Sequence, residues 1–286
     1  MARLTGTLPP PLKWAGGKRW LVPHLRPIWA ANRARRWVEP FCGGLAAPLG
    51  LRPERALLND INPHLINFYR WLKCGLRLSE PLDNRANDPD VYYRQRARFN
   101  ALIASGEGGQ SAEAAALFYY LNRTGYNGLC RFNRRGAFNV PFGRYKTLNY
   151  ISDFAPYRAA FAGWTFTSAD FETLPLRHDD FIYADPPYDV EFTSYSKEPF
   201  GWDEQVRMAE WLARHPGPVV ISNQATDRII TLYGDLGFDL LFLDAPRRIS
   251  CTGDRAPARE VLGLRHIDLA LTGPLARSST ALQAEF

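Results

Sequence analysis

Short apolar runs recur along this chain, separated by longer stretches in which apolar residues return at helical spacing. The runs at 37–39, 56–59, 164–167, 181–184, 219–222 and 240–243 are three or four residues long and rich in β-branched, aromatic and leucine side chains, so they are predicted as strands. Periodicity near 3.6 predicts helices over 63–73, 114–122, 203–213 and 226–236. Strands that read as continuous apolar runs and alternate with helices imply an α/β fold, a mainly parallel sheet with helices on both faces.

The strand and helix rhythm is lost from Leu76 to Tyr150. Within that gap, helices are predicted near 91–103 and 114–122, and the hydrophilic stretches 83–89 and 105–110 read as surface turns. The expected organisation is therefore a domain built from 1–75 and 148–286, carrying an inserted, mainly helical recognition domain at 76–147.

Composition changes this picture little: 286 residues at 46% hydrophobic content are enough for a substantial core. No apolar stretch approaches the length of a membrane span, which makes a cytoplasmic location, with no membrane partner, the expectation. Cys42, Cys74, Cys130 and Cys251 are scattered and lack the close pairing of a metal site, so reduced thiols and no metal are expected.

Charge is more informative, because the net +6 is unevenly spread. The balance is +7 over 1–63, +7 over 64–147 and −8 over 148–286. Between Glu113 and Asp153 there is no acidic residue, while Arg123, Arg131, Arg134, Arg135, Arg144 and Lys146 lie there among asparagines and aromatic residues. Such a mixture offers charges for phosphates and donors and stacking faces for bases, although a basic run can also be only a solvated face.

Candidate chemistry centres on Asp185-Pro186-Pro187-Tyr188, at the exit of the strand predicted over 181–184. The prolines remove two amide donors and hold the backbone extended, so the turn presents acceptors. An ionised Asp185 and a neighbouring carbonyl can together take both hydrogens of a planar amino group, with Tyr188 stacked on its ring. Read alone, the same four residues can equally be an ordinary turn. A second constellation follows the strand at 37–39: Phe41-Cys42-Gly43-Gly44 allows close backbone approach, and Asp60 ends the next strand, twenty-one residues after Glu39. An acid at that distance suits ribose hydroxyls, and the absence of a G-x-G-x-x-G pattern points away from a pyrophosphate and toward S-adenosylmethionine. Asp60 beside Asn62-Pro63 can alternatively be a helix cap. Lys13-Trp14-Ala15-Gly16-Gly17-Lys18 concentrates charge and a planar indole near the N-terminus, though Trp14 as core filler is the plain alternative.

Taken together these motifs resemble DNA adenine methylases of the Dam type, in the family's order and across most of the chain. The segment from Leu121-Asn122-Arg123-Thr124-Gly125-Tyr126-Asn127 through Arg144-Tyr145 is similar, almost residue for residue, to the target-recognition hairpin of enzymes that modify GATC. The resemblance implies transfer of a methyl group from S-adenosyl-L-methionine to adenine N6 in double-stranded DNA, with the base flipped out and no covalent enzyme intermediate. It implies cofactor contacts at Trp14, Lys18, Phe41, Gly43, Asp60, Asp170, Phe171 and Asp185, and handling of the flipped base by Asp185, Pro186, Pro187 and Tyr188. DNA contacts are implied at Lys13, Arg123, Tyr126, Asn127, Leu129, Asn139, Pro141, Arg144 and Tyr145, with Arg131 reading a guanine and Leu129 suited to a thymine methyl. Departures fall after Tyr188, where the segment 189–195 is short and Gln224 stands where His is familiar. A modification enzyme with another target, a cytosine N4 methylase, a protein or RNA methylase and a non-catalytic DNA-binding module are the alternatives. No obligate protein partner is implied.

Overall fold

A computed structural model describes residues 8–78, 87–151, 153–189, 200–245 and 258–272. The turn expected at 83–89 lies mostly outside these residues, as do Cys251, most of the segment after Tyr188, and the polar tail. In chain order the elements begin with α1 (Val22–Ala31), β1 (Trp37–Glu39), α2 (Ala46–Leu51), β2 (Ala56–Asn59) and α3 (Pro63–Cys74). They continue with α4 (Pro89–Ala104), α5 (Ala112–Thr124), α6 (Ala155–Ala160), β3 (Trp164–Thr167) and β4 (Phe181–Ala184). The last are α7 (Trp202–Ala213), β5 (Val219–Gln224), α8 (Asp227–Asp235), β6 (Asp239–Ala245) and β7 (Ala258–Arg265).

The strands form one seven-stranded sheet in the order β3-β2-β1-β4-β5-β7-β6. β1 pairs in parallel with β2 and β4, and β4 with β5, whereas β7 runs antiparallel between β5 and β6. This is a Rossmann-like sheet, mainly parallel as the sequence predicted, completed by a strand, β7, that its pattern did not reveal.

Two compact units divide the chain. The second comprises residues 20–42, 53–58 and 169–286. Its strands are buried on both faces, which is why β1, β2 and β4 show no polar alternation. On one face Val38, Leu57, Ile182, Ala184, Val219 and Ile221 pack with Met208 and Leu212 of α7 and Ile229 and Tyr233 of α8. The alternate residues point the other way, where Trp37 stacks on Phe181 at 5.1 Å and Trp29 of α1 meets both edge-on.

The first unit comprises residues 1–19, 43–52 and 59–168, and wholly contains the segment 76–147. Its centre is α3 against α5, with Phe68 stacked on Tyr119 at 5.5 Å. α3 begins where it does because the Asn62 side chain accepts from the amides of His64 and Leu65 and Pro63 has no amide to satisfy. It stops at Gly75, which takes φ 93° and returns its amide to Leu72 and Trp71. β3 adjoins the end of β2 here, through the Asp60 amide on the Thr167 carbonyl at 3.2 Å and Thr167 Oγ1 on Asn59 Oδ1 at 3.0 Å.

Candidate active site

In the second unit the backbone leaves β4 at Asp185, and neighbouring elements hold each part of the turn that follows. Ser222 of β5 donates from Oγ to Asp185 Oδ1 at 2.7 Å, fixing one carboxylate oxygen. Gln205 of α7 donates to the Pro187 carbonyl at 2.8 Å, and the Asp189 amide donates to Asn223 Oδ1 at 3.0 Å. Asn223 is itself held, since its Nδ2 donates to Gln205 Oε1 and to the Tyr233 hydroxyl. Asp189 is closed off by the Thr226 hydroxyl and the Arg228 guanidinium, which in turn lies over the Trp202 ring. The Tyr188 hydroxyl donates to Glu260 Oε2 of β7 at 2.6 Å.

Electrostatics keep the surrounding phenols neutral. Burial pushes the Tyr188 and Tyr183 hydroxyls well above the ordinary tyrosine range, and the Asp185 charge adds to the effect in both. Both therefore keep their protons at neutral pH. Glu39, at the end of β1, is 3% exposed and accepts from Trp37 Nε1 at 3.0 Å. Burial first, and then the Asp185 charge, push its carboxyl well above the ordinary glutamate range despite that donor.

Phe41 and Phe171 of this unit pack together at 5.6 Å, with Phe200 edge-on to Phe41. Asp170 is occupied by a bidentate pairing with Arg207, which also reaches Glu172 and Glu204 and covers the Phe171 ring at 4.1 Å. That pairing lowers the Asp170 carboxyl below its usual range.

In the first unit, Trp14 lies directly on the glycine turn. A Cβ at Gly43 would stand 2.8 Å from Trp14 Nε1, and one at Gly44 2.8 Å from Trp14 Cβ, so only glycine allows the indole this close. Gly43 also needs its freedom for φ +41°. Its amide donates to Asp60 Oδ2 at 3.1 Å, while Oδ1 takes the Asn62 amide at 3.0 Å. Each oxygen of a carboxylate can accept more than one donor, so Asp60 retains acceptor capacity. Burial raises its carboxyl, and the two amides oppose that rise. Ile61, immediately after it, is 72% exposed although apolar. An acid with capacity for hydroxyls, a backbone cradle and a bare apolar side chain fit a nucleoside-bearing cofactor. Lys18 is buried within a short helical turn.

Lys13 ties the N-terminal motif to the basic segment. Its backbone exchanges two hydrogen bonds with the Asn122 side chain, its Nζ donates to the Arg123 carbonyl, and the ammonium sits 3.6 Å from the Tyr145 ring centre. Burial, with Arg123 nearby, lowers the ammonium to about 8. Residues 131–140 form a narrow hairpin, bridged at Phe132 and Phe138, in which the Asn139 amide donates to the Arg131 carbonyl and Gly136 turns the chain at φ 76°. Helix α4 anchors it, for Asn100 both donates to the Phe138 carbonyl and accepts from its amide. Arg131 is exposed, with Nε donating to Asn139 Oδ1 at 2.8 Å. Tyr126, Asn127, Leu129, Pro141 and Arg144 are exposed as well, and Asn139 and Tyr145 partly so. Arg123 differs: it is 6% exposed in the last turn of α5, beneath this surface.

The first unit thus holds Lys13, Trp14, Lys18, Gly43, Asp60 and the basic segment, and the second holds Phe41, Asp170, Phe171 and the residues from Asp185 to Tyr188. Of the residues that fix the turn, Ser222 and Asn223 lie in the segment noted in the sequence only for its Gln224, and Gln205 and Glu260 were not singled out.

Among the described residues, no helix is long and apolar enough to cross a membrane. Comparison with known families matches residues 14–249 to D12 class N6 adenine-specific DNA methyltransferase. The chain is 39% identical to a DNA adenine methylase of Vibrio cholerae over 88% of its own length and 94% of that protein. It is 32% identical to a type II methyltransferase of Lactococcus lactis, over 84% and 89% of the two chains. It is 34% identical to the DNA N-6-adenine-methyltransferase of Escherichia phage P1 over 88% of its length, though it spans only 35% of that longer protein. The family match over most of the chain, together with a relative 39% identical over 94% of that protein's length, places this protein among the D12 class N6 adenine-specific DNA methyltransferases.

Proposed function

We propose that this adenine-specific DNA methyltransferase uses S-adenosyl-L-methionine, acts on GATC in duplex DNA, and flips the adenine out of the helix before direct transfer. The observation that carries the target assignment is the exposed hairpin with Arg131 braced by Asn139. With Nε and one Nη2 hydrogen donated to the Asn139 side chain and carbonyl, the outer N–H groups of Nη1 and Nη2 are left for guanine O6 and N7, and exposed Leu129 and Pro141 offer apolar contact to a thymine methyl. The segment 76–147 serves as the target-recognition part, with Lys13, Tyr126, Asn127, Asn139, Arg144 and Tyr145 at further DNA contacts. Arg123, being buried, supports this surface rather than reaching from it.

Bound cofactor supplies an electrophilic methyl group. Trp14, Lys18, Gly43 and Asp60 would hold it, with Asp60 accepting from hydroxyls, and Phe41, Asp170, Phe171 and Asp185 are the other cofactor positions that the resemblance implies. An adenine amine is a weak nucleophile because its lone pair is delocalised into the ring. Asp185, held in place by the Ser222 hydroxyl, accepts an N6 hydrogen, and Tyr188 stacks on the base to offset part of the unstacking cost. Orientation of N6 by these groups accounts for much of the rate, and the N6 proton departs after the new bond forms.

Asp185→Ala should abolish methyl transfer while leaving duplex binding largely intact; a variant that still methylates at the wild-type rate would sink the assignment. Mapping modified adenines after expression in a methylation-free host tests the target. Modification at GATC is expected. Modification elsewhere would favour a type II modification enzyme with another site, the reading suggested by the Lactococcus relative's name.

A further inference from the structure

Glu260 stands at an unusual place for a carboxylate. It is 6% exposed on β7, the antiparallel strand inserted between β5 and β6, where it faces Gln224 of β5 in register. Its side chain is nonetheless brought to the turn after β4, where Oε2 receives the Tyr188 hydroxyl at 2.6 Å. That length is in the range of charge-assisted O–H···O⁻ bonds, which are shorter and roughly twice as strong as neutral ones. Burial of Tyr188 and the charges of Asp185 and Glu260 hold the phenol protonated, so it is the donor.

Packing alone does not require this pair. A Phe and an apolar residue would fill the same space without the cost of taking a carboxylate out of water. What the pair adds is direction: a tyrosine ring has two torsions, and a strong bond at its far end fixes both. For a ring that must lie parallel to an incoming base, fixed torsions are an advantage in every turnover.

We infer that Glu260 is a positioning residue that holds the Tyr188 ring ready to receive the flipped adenine, a role resting on the reading that Tyr188 stacks on that base. Glu260 acts through Tyr188 and does not itself touch substrate. Other parts of the turn are pinned from other elements, Asp185 by β5 and the Pro187 carbonyl by α7, while the bond from Glu260 of β7 holds the far end of the ring.

The test is a mutant cycle on the full chain, with single-turnover transfer of labelled methyl to duplex DNA, DNA affinity and thermal melting measured for each variant. Glu260→Ala should lower the transfer rate roughly 10- to 100-fold, the scale of one lost charged hydrogen bond, while DNA affinity changes little. Glu260→Gln, which keeps an acceptor for the phenol, should recover most of the rate. In a Tyr188→Phe background neither substitution should cost anything further, because the hydroxyl through which Glu260 acts is gone. A general folding defect would persist in that background and appear in melting. Duplexes with 2-aminopurine at the target adenine should give altered fluorescence with Glu260→Ala, as the flipped base loses its ordered stack. Wild-type rates in Glu260→Ala, or an undiminished penalty in the Tyr188→Phe background, would overturn the inference while leaving the function standing. A fully active Tyr188→Ala would overturn both this role and the stacking it serves.

Discussion

At Glu39 the chain places a carboxyl where water does not reach, 3% exposed and within the influence of Asp185. Burial dominates there, and the Trp37 indole donor does not offset it, so the folded protein retains this proton above the pH at which an unfolded glutamate loses it. The sign follows directly. Above the ordinary glutamate pKa the folded state binds more protons than the unfolded one, so stability falls as pH rises. The contribution is fully present below the unfolded pKa and is lost progressively up to the raised folded value. Glu39→Gln keeps an acceptor for Trp37 and removes the titration. Thermal melts from acid to mildly alkaline pH should therefore show wild type losing stability relative to Glu39→Gln as pH rises, and parallel curves would refute the buried neutral acid. The same scale explains why Gly43 and Gly44 were readable as a motif but not in their role. Two glycines in a row signalled close approach, yet what approaches is Trp14, twenty-nine residues earlier, and no local pattern encodes that partner.

Helices and strands followed their sequence signals where those signals are local. The strands at β1 to β4 coincide with their apolar runs, and β5 and β6 extend theirs by two or three residues into polar ends that the sheet recruits by pairing. β7 escaped notice because Arg259 and Glu260 open it and Gly263 interrupts it. Gly263 is nevertheless suited to the place, since a Cβ there would meet Ile221 Cγ2 at 2.8 Å. α1 was hidden by Pro23 and Pro27, and α2 is six residues long between two left-handed ends at Leu45 and Arg52. α3 was legible, but its cap is Asn62 and not Asp60, the residue the sequence offered for that role. Asn62 there does more than cap: while Oδ1 accepts from the His64 and Leu65 amides, Nδ2 donates to Cys130 Sγ at 3.4 Å, joining the helix start to the basic segment. Asn62→Ala should cost about 1–2 kcal/mol in urea unfolding, the upper part of the range for a lost N-cap. Asn62→Asp, which keeps the cap acceptor and removes the donor to sulfur, should recover most of it; equal losses in the two would mean that the cysteine contact, not the cap, is what stabilises.

Over the whole chain, the uneven charge seen in the sequence becomes a surface in the first unit. Arg131, Arg134, Arg135, Arg144 and Lys146 are all exposed, in a stretch without acids to neutralise them. Sequence alone could not separate Arg123 from this group, because its burial depends on α5 packing along nearly its full length against the rest of the unit. The distinction has a measurable consequence. A side chain that neutralises one phosphate releases about one counterion, so its removal should reduce the slope of log K against log salt by roughly 0.9 for duplex DNA. Arg144→Ala should show that reduced slope and weaken binding to all sequences about equally. Arg131→Ala should instead lower discrimination against altered guanines by about 1–3 kcal/mol, with a smaller change in salt dependence, because base reading and charge neutralisation are different uses of the same side chain. Arg123→Ala should leave the slope unchanged and lower the melting temperature. Titrations of duplexes with intact and substituted GATC over a range of salt would separate the three; an unchanged slope for Arg144→Ala would remove it from the phosphate contacts, and a reduced slope for Arg123→Ala would return that residue to them.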